Sequence, residues 1–311
     1  MTFEKKIVIC GASGMVGTLL SKQLHEDGHS LILVGRNAKK LEQAFPFQAE
    51  FLTWDALSKY NANEIRIIIN LSGAGVSDKK WTPDYKPTMR DSRLQTTQNC
   101  VEICKKNSNI WLINASAVSA YGFYDYDHAP FTEGDTHKRT GTNFLQELID
   151  DWEETALKAE FSGNRVTLLR TGIVLDRSGG GLPAMAKPYA FFMGGPVGTR
   201  EQIMSWISLR DVVSAIKFII KKPDLTGPVN LTSTGACRQR EFSKALGKAL
   251  VKPSAVHMLA FMIKATMGQM GEELVLTGQR VTPSRLLKSG FKFQDTDIDI
   301  FLETHYNSHN D

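Results

Sequence analysis

No stretch of the chain stays apolar for the ~20 residues that a membrane-spanning helix needs. The nearest approach, around His257 to Met270, is broken by Lys264 and Gly268. Cysteine is scarce, with four residues at positions 10, 100, 104 and 237. The C-x-x-x-C spacing of Cys100 and Cys104 is neither a zinc nor a thioredoxin spacing, so reduced thiols packed as small apolar groups are expected. The seven histidines are scattered, and no structural or catalytic metal is expected. Lysine and arginine exceed the acids only by 37 to 33, without a basic stripe, so nucleic acid is not an expected partner. The N-terminus passes directly into a charged-then-apolar strand. No signal peptide is read there, and a cytoplasmic monomer or homodimer acting on a small molecule is expected.

With 311 residues, 42% of them hydrophobic, the chain can bury a large core in one two-lobed unit or two domains. Strands are expected at Ile7–Cys10, Leu31–Val34, Ile65–Leu71, Ile110–Ala115 and Val166–Arg170. Helices are expected between them, at Val16–Glu26, Ala38–Ala44, Leu94–Lys106 and Phe144–Phe161. Strands apolar on both faces, alternating with helices, predict an α/β fold with a doubly wound parallel sheet. After Thr171 the stretch "DRSGGGLPAMAKPYAFFMGGPVG" is dense in glycine and proline and reads as a loop-rich departure from the sheet. A helix at Leu209–Lys221 and a strand at Pro228–Leu231 read as returning to it, and "KSGFKF" reads as a short strand. The expected division is a dinucleotide-binding lobe over residues 1–175, rejoined by 205–232. A smaller mixed lobe takes 176–204 and 233–311.

The strand-to-helix junction "CGASGMVGTLL" has the spacing G-x-x-G-x-x-G at Gly11, Gly14 and Gly17. Glycine there permits a tight turn, close backbone approach to a pyrophosphate, and close helix-to-strand packing. The helix start offers unpaired N–H groups to phosphate. Gly11, Ser13, Gly14, Met15, Val16 and Gly17 are thus the expected cradle of a dinucleotide. At the end of the second strand, where an acid would accept the ribose hydroxyls of NAD, the chain has Arg36 in "LILVGRN". A guanidinium suits a 2′-phosphate, so NADP(H) is the expected cofactor. "FLTWDAL" puts Asp55 after a further strand, where it can meet the adenine amino group or simply cap a helix. "NLSGAG" offers Leu71, Ser72, Gly73 and Ala74, whose small size leaves room for a ribose.

These motifs resemble the short-chain dehydrogenase/reductase superfamily in its extended or atypical branch. Within it, they resemble a subgroup of epimerase-family, sugar-nucleotide-epimerase-like proteins sometimes labelled cell-division inhibitors. The resemblance runs through "GASGMVG", "WDAL", "NLSGAGVSDKKWT", "RDSR", "NASAVSAYG", "FTEGD", "DDWEETA", "LLRTGIVL", "MSWISLRDVV", "GPVNLTSTGACRQREF" and "TPSRLLKSGFKF". It implies a Rossmann lobe that binds NADP(H) and a small C-terminal substrate lobe. Three positions depart from the pattern: Cys10 replaces a common Thr, Ser208 a common His, and "GTREQ" lacks a second glycine.

The superfamily transfers protons with a Ser or Thr after the fifth strand and a Tyr-x-x-x-Lys on the next helix. Ser116 matches the serine, or equally serves as a strand-end residue satisfying local backbone groups. None of the seven tyrosines has a lysine four residues on, and Phe144 and Leu145 stand near the expected place. Tyr121 is the candidate surrogate acid, with Tyr124 and Tyr126 in the same loop and Lys79, Lys80 or Lys138 as candidate ammonium groups. Glu133 is a candidate base. Arg170 and Lys80 are candidate substrate-binding groups, and Arg90 and Arg93 complete a basic set. The resemblance implies an NADP(H)-dependent oxidoreductase or epimerase-like enzyme acting on a small polar, sugar-nucleotide-derived substrate. The missing proton relay equally suits a non-catalytic NADP(H)-sensing or partner-binding protein.

Overall fold

The computed structural model describes residues 5–135 and 143–307. Its first half alternates strands and helices: β1 Lys6–Cys10, α1 Met15–Glu26, β2 Leu31–Val34, α2 Ala38–Ala44, β3 Glu50–Leu52, α3 Trp54–Ser58, β4 Ile65–Asn70, α4 Tyr85–Cys104, β5 Trp111–Ala117, α5 Phe144–Leu157 and β6 Arg165–Thr171. The second half adds β7 Ile173–Asp176, β8 Gly179–Gly180, α6 Gly181–Ala190, β9 Ile203–Met204, β10 Trp206–Ser208, α7 Leu209–Ile220, β11 Gly227–Leu231 and β12 Cys237–Arg238. Five further helices follow: α8 Gln239–Ala249, α9 Ala260–Met267, α10 Gln269–Leu274, α11 Ser284–Lys288 and α12 Ile298–Asn307.

Seven strands form one parallel sheet in the order β11-β6-β5-β4-β1-β2-β3. Each central strand is apolar on both faces because both are covered. Along β1, Ile7 and Ile9 pack with Leu20, Leu24, Val213 and Ile216 of α1 and α7. The intervening Val8 and Cys10 pack with Cys100, Val101 and Ile103 of α4. Each such fully buried aliphatic side chain contributes about 1.5–3 kcal/mol. Strand order reverses between β1 and β4, the topological switch point at which open α/β sheets bind ligands. The architecture is Rossmann-type.

Beyond β6 the chain builds a smaller unit. β7 pairs with β10 and with the short return strand β8, and β9 pairs with β12. A separate core of Leu175, Leu182, Tyr189, Trp206, Phe242, Leu246, Phe301 and Leu302 holds these to α6, α8 and α12. β11 then pairs with β6 and completes the main sheet.

Several elements differ from the sequence reading. α4 starts at Tyr85 rather than Leu94, because Thr82 Oγ1 accepts from Tyr85 N at 3.2 Å and Pro87 lies in the first turn, where its missing N–H costs nothing. α5 ends at Leu157 and tightens into a 3-10 turn, Lys158–Ser162. The glycine-rich stretch after Thr171 carries the β7–β8 hairpin and α6. "KSGFKF" is not a strand but the end of α11 and a turn, from which Phe291 and Phe293 reach the main core. No described helix is long and apolar enough to cross a membrane.

Candidate functional site

The loop after β1 is built around atoms it lacks. Gly11 has a left-handed φ of +78°, and a Cβ on it would lie 2.9 Å from the backbone carbonyl of Leu71 at the end of β4. A Cβ on Gly17 would lie 2.3 Å from Gly11 O, so only glycine lets α1 start this close to the loop. Gly14 is the N-cap residue and brings no side-chain cap. The first-turn N–H groups of Met15, Val16 and Gly17 have no acceptor within their helix and are available to an anion. Ser13 and Gly14 are exposed, so the elbow opens outward. Residues this bare, ending on uncapped amides, fit a pyrophosphate. The β7–β8 hairpin, not foreseen from sequence, lies against this elbow: a Cβ on Gly180 would lie 3.2 Å from Met15 Cε.

The remaining expected coenzyme residues line the same sheet edge. Arg36 is exposed beyond β2. Asp55 lies in the first turn of α3 behind the Thr53 cap and pairs with Lys59 at 2.8 Å. Leu71 N donates to Cys10 O at 2.9 Å, which ties the β1 and β4 ends together, and Ser72 N donates to Asn70 Oδ1 at 3.2 Å. Ala74 N is held by Ser92 Oγ of α4 at 3.0 Å.

Deeper in, between β5, β6 and α5, lies a buried polar network. Glu153 of α5 is its centre. It accepts from Arg170 Nε at 2.8 Å and Nη2 at 2.7 Å, a two-pronged pair, and from Ser116 Oγ at 2.5 Å. Burial works against the Arg170 charge, but Glu153 more than offsets it and the guanidinium pKa is raised. Arg170 also stacks over the Tyr121 ring at 4.8 Å. Tyr121, 1% exposed, donates to Asn230 Oδ1 at 2.8 Å, and burial raises its pKa. Glu133 accepts from the backbone N–H of Asn230 at 3.1 Å and of Arg285 at 3.2 Å.

This arrangement differs from the expected catalytic roles. The hydroxyls of Ser116 and Tyr121, the guanidinium of Arg170 and the carboxylate of Glu133 are all engaged by protein partners. Tyr124 donates to Tyr121 O at 3.3 Å, while Tyr126 is exposed. The basic set is also split up. Arg90 pairs with Asp151, Lys79 lies over the Tyr85 ring at 5.7 Å, Lys80 is exposed and Arg93 is buried. Lys138 lies outside the described residues. Of the two residues near the expected place of the superfamily phenol, Leu145 is buried among Tyr85, Met89 and Leu148. The N–H groups of Phe144 and Leu145 are capped by Glu273 of α10 at 3.0 and 2.9 Å.

A model described as the NAD dependent epimerase/dehydratase family matches residues 7–231. The chain belongs to this family. A second model, described only as a domain of unknown function, matches residues 260–304 of this epimerase-family protein. An epimerase family protein of Mycobacterium leprae is 35% identical over 296 residues, covering 94% of this chain and 92% of its own. One from Staphylococcus aureus is 34% identical over 310 residues, covering 96% and 98%. A human epimerase family protein crystallised with NADPH matches with a TM-score of 0.85 at 24% identity, over 97% of this chain and 99% of that one, which is a likeness of fold. A nucleoside-diphosphate sugar epimerase from Corynebacterium glutamicum matches with a TM-score of 0.74 at 26% identity, over 97% of this chain but only 58% of that one.

Within this epimerase-family protein, sequence reasoning missed the partners rather than the strand ends. Asn70, Asn114, Trp152, Glu153 and Asn230 fall within the quoted stretches, which assign none of them a role, and Thr97 falls in none. Asn70 Nδ2 donates to Asn114 Oδ1 at 2.8 Å and Trp152 Nε1 to Thr97 Oγ1 at 2.8 Å. For Asn70, Asn114 and Asn230 the signal was a polar residue in an otherwise apolar strand, while Thr97, Trp152 and Glu153 stand on helices. The sequence reading also passed over His25-Glu26-Asp27-Gly28-His29, which has the letter spacing of a zinc-binding helix. The structure shows why it is not one: α1 ends at Glu26, Asp27 caps it, and His25 stacks on Phe47 at 4.3 Å. The departures also find places. Ser208 caps α7 through Asp211 N at 3.1 Å, and Cys10 Sγ lies 4.0 Å from Cys100 Sγ. In the "GTREQ" loop Arg200 has φ +72°, a conformation glycine adopts freely, and its guanidinium meets His257 Nδ1 at 2.8 Å.

Substituting Ser116 by alanine removes a hydrogen bond to a buried carboxylate. It is expected to lower stability by about 1.5–3 kcal/mol in urea unfolding. Coenzyme affinity, measured by calorimetry, is expected to stay at its wild-type value.

Proposed function

We propose that this epimerase-family protein binds NADP(H) at the switch point and serves as an oxidoreductase or epimerase-like enzyme on a small polar molecule. The observation that carries the reading is the β1–α1 elbow, where Cβ atoms at Gly11 and Gly17 would collide with backbone and the helix start is left uncapped. Met15, Val16 and Gly17 would hold the pyrophosphate through their amides. Arg36 would hold the 2′-phosphate, Asp55 would face the adenine, and Leu71, Ser72, Gly73 and Ala74 would line the ribose. When bound, the nicotinamide supplies reversible hydride transfer to a carbon that bears oxygen. The chain's own contribution is to seat the coenzyme and keep the floor of the crevice rigid through Glu153, Arg170 and Ser116.

Arg36→Ala tests the coenzyme assignment. NADPH affinity is expected to fall about tenfold or more while NADH affinity holds, since hydrogen bonds to a charged group are worth about 1.5–3 kcal/mol. Equal losses for both coenzymes would reject the role of Arg36.

A second reading is favoured by the engaged hydroxyls of Ser116 and Tyr121 and by the apolar Phe144 and Leu145 near the place where a phenol is expected. It takes the protein as an NADP(H)-responsive binding protein without turnover. A metabolite screen followed at the absorbance band of reduced nicotinamide separates the two. Substrate-dependent oxidation supports the enzyme. An epimerase recycles its coenzyme and is silent there, so the sensor is supported only when product analysis also finds no epimer and proteolysis patterns differ between NADP+ and NADPH.

A further inference from the structure

Exposed apolar side chains gather on the smaller lobe, where two segments lie side by side. The turn after α6 carries Phe191, Phe192 and Met193, and the stretch from the end of α8 into α9 carries Val251, Phe261 and Met262, all exposed. Val256 N donates to Gly194 O at 3.1 Å and Met258 N to Pro196 O at 2.9 Å, which stitches the two together. Lys252 Nζ lies 4.1 Å from the centre of the Phe192 ring. Outside these segments, only Tyr126, Phe161, Leu287 and Ile300 among the described residues are large, apolar and exposed. Single exposed apolar side chains are ordinary, but such a gathering marks a docking surface. Two of these side chains are held out at a cost. Phe192 has φ +59° and Val251 φ +54°, left-handed conformations that a bulky or β-branched residue seldom adopts. Strain that brings no packing points to a use outside the core.

The same segments carry no negative charge. From Arg177 to Arg200 and from Phe242 to Gly271 there is no aspartate or glutamate, while lysines stand at 187, 244, 248, 252 and 264. Glu303 pairs with Lys248 and Glu272 with Lys264, which leaves Lys187, Lys244 and Lys252 without a carboxylate within ion-pair distance among the described residues. Cations around projecting apolar side chains match an anionic bilayer. The rings and methionines enter the headgroup boundary, and the lysine stems snorkel to the lipid phosphates. A two-fold dimer through this face would set lysine against lysine. A groove for a peptide would shelter the side chains that line it, whereas Phe191 and Val251 are 67% and 85% exposed. The coenzyme elbow lies elsewhere. α6 begins beside the hairpin that touches Met15 and ends at Phe191, and its ten residues span about 15 Å.

We propose that this face binds peripherally to bilayers rich in anionic lipid, so that the protein works at a membrane surface without crossing it. The binding needs neither coenzyme nor substrate and stands or falls apart from the coenzyme reading. The test is flotation of the full chain through a density gradient with vesicles, which separates bound protein from aggregate. One set of vesicles is phosphatidylcholine alone, and the other is phosphatidylcholine mixed with phosphatidylserine. Saturable flotation with the mixed vesicles is expected, about tenfold or more tighter than with phosphatidylcholine alone and weakened by added salt. The double variant Phe191→Ser, Phe192→Asn is expected to weaken it about tenfold or more. Its urea unfolding midpoint is expected to hold, because both rings are exposed and asparagine tolerates the left-handed φ. Lys187→Gln with Lys252→Gln is expected to weaken flotation with the mixed vesicles by a similar factor. If the ring variant does not fold, the lysine variant decides. No flotation with the mixed vesicles overturns the proposal, as does equal affinity for the two kinds of vesicle or wild-type affinity in either variant. Sedimentation equilibrium without lipid tests a second copy as the occupant. A dimer that the ring variant abolishes would give the face to that copy and overturn the proposal. Saturable binding of polyglutamate without flotation would give it to an acidic protein and overturn it as well.

Discussion

Replacing Gly17 by alanine is expected to remove saturable NADPH binding over the range that saturates the wild-type protein. The added Cβ would lie 2.3 Å from Gly11 O and 2.9 Å from both Ala12 Cα and Ala12 O. All of these are backbone atoms, and a rotamer change relieves none of them. The first turn of α1 must move away from the loop, and the amides of Met15, Val16 and Gly17 move with it. Overpacking of this kind costs about 1–3 kcal/mol. Spent on a site that depends on amide placement, it corresponds to about tenfold to a hundredfold in affinity. Gly28 provides the control. A Cβ there meets nothing within 4 Å, though the φ of +84° strains any side chain, so Gly28→Ala is expected to lose some folding stability yet bind NADPH as the wild type does. Calorimetric titration of the two variants checks this. Wild-type affinity in a folded Gly17→Ala protein would show that the elbow is only a tight turn.

Glu153→Ala is expected to cost about 3–5 kcal/mol of folding stability, the usual result of leaving one partner of a buried pair without the other. Arg170 is 6% exposed and its two prongs both go to Glu153. The same change strands the Ser116 hydroxyl. Urea unfolding measures the loss. The double variant Glu153→Leu, Arg170→Met removes both charges at similar volume and is expected to recover most of it, because an apolar pair escapes the desolvation penalty. A single-variant loss below about 1 kcal/mol would mean that solvent reaches the pair and that the crevice floor is not the rigid network described.

How much of this was legible in the sequence depended on whether a feature is local. The strands β1, β2, β4, β5 and β6 announced themselves because both of their faces are buried, leaving runs such as Ile67–Ile69 with no polar side. The elbow was equally legible, since its glycines, strand and helix are contiguous. β3 and the small C-terminal strands were weaker. Three residues, Glu50–Leu52, take their strand identity from pairing with β2 rather than from their own composition. The hairpin that lays Gly179 and Gly180 against Met15 was read as loop because glycine-rich sequence looks like loop until a partner strand is placed beside it.

The interior of the site was the least legible part. Ser116 was found, but its partner Glu153 stands 37 residues away on α5, where the sequence reading gave it no role. Tyr121 was read as a candidate surrogate acid, yet Asn230, 109 residues on, takes its hydroxyl. Such pairs form only when the sheet brings β5, β6 and β11 side by side. Arg93 shows the reverse case. It seemed to belong to a surface cluster with Arg90, but the helical rotation between them sends Arg90 to Asp151 and buries Arg93 behind Gly73.

The most direct measurement is a pair of calorimetric titrations of the purified wild-type protein, one with NADPH and one with NADH. An uncapped helix start for the pyrophosphate, with Arg36 for the 2′-phosphate, predicts saturable 1:1 binding of NADPH, about tenfold or more tighter than NADH. No saturable uptake of either coenzyme, or NADH bound as tightly as NADPH, would contradict it.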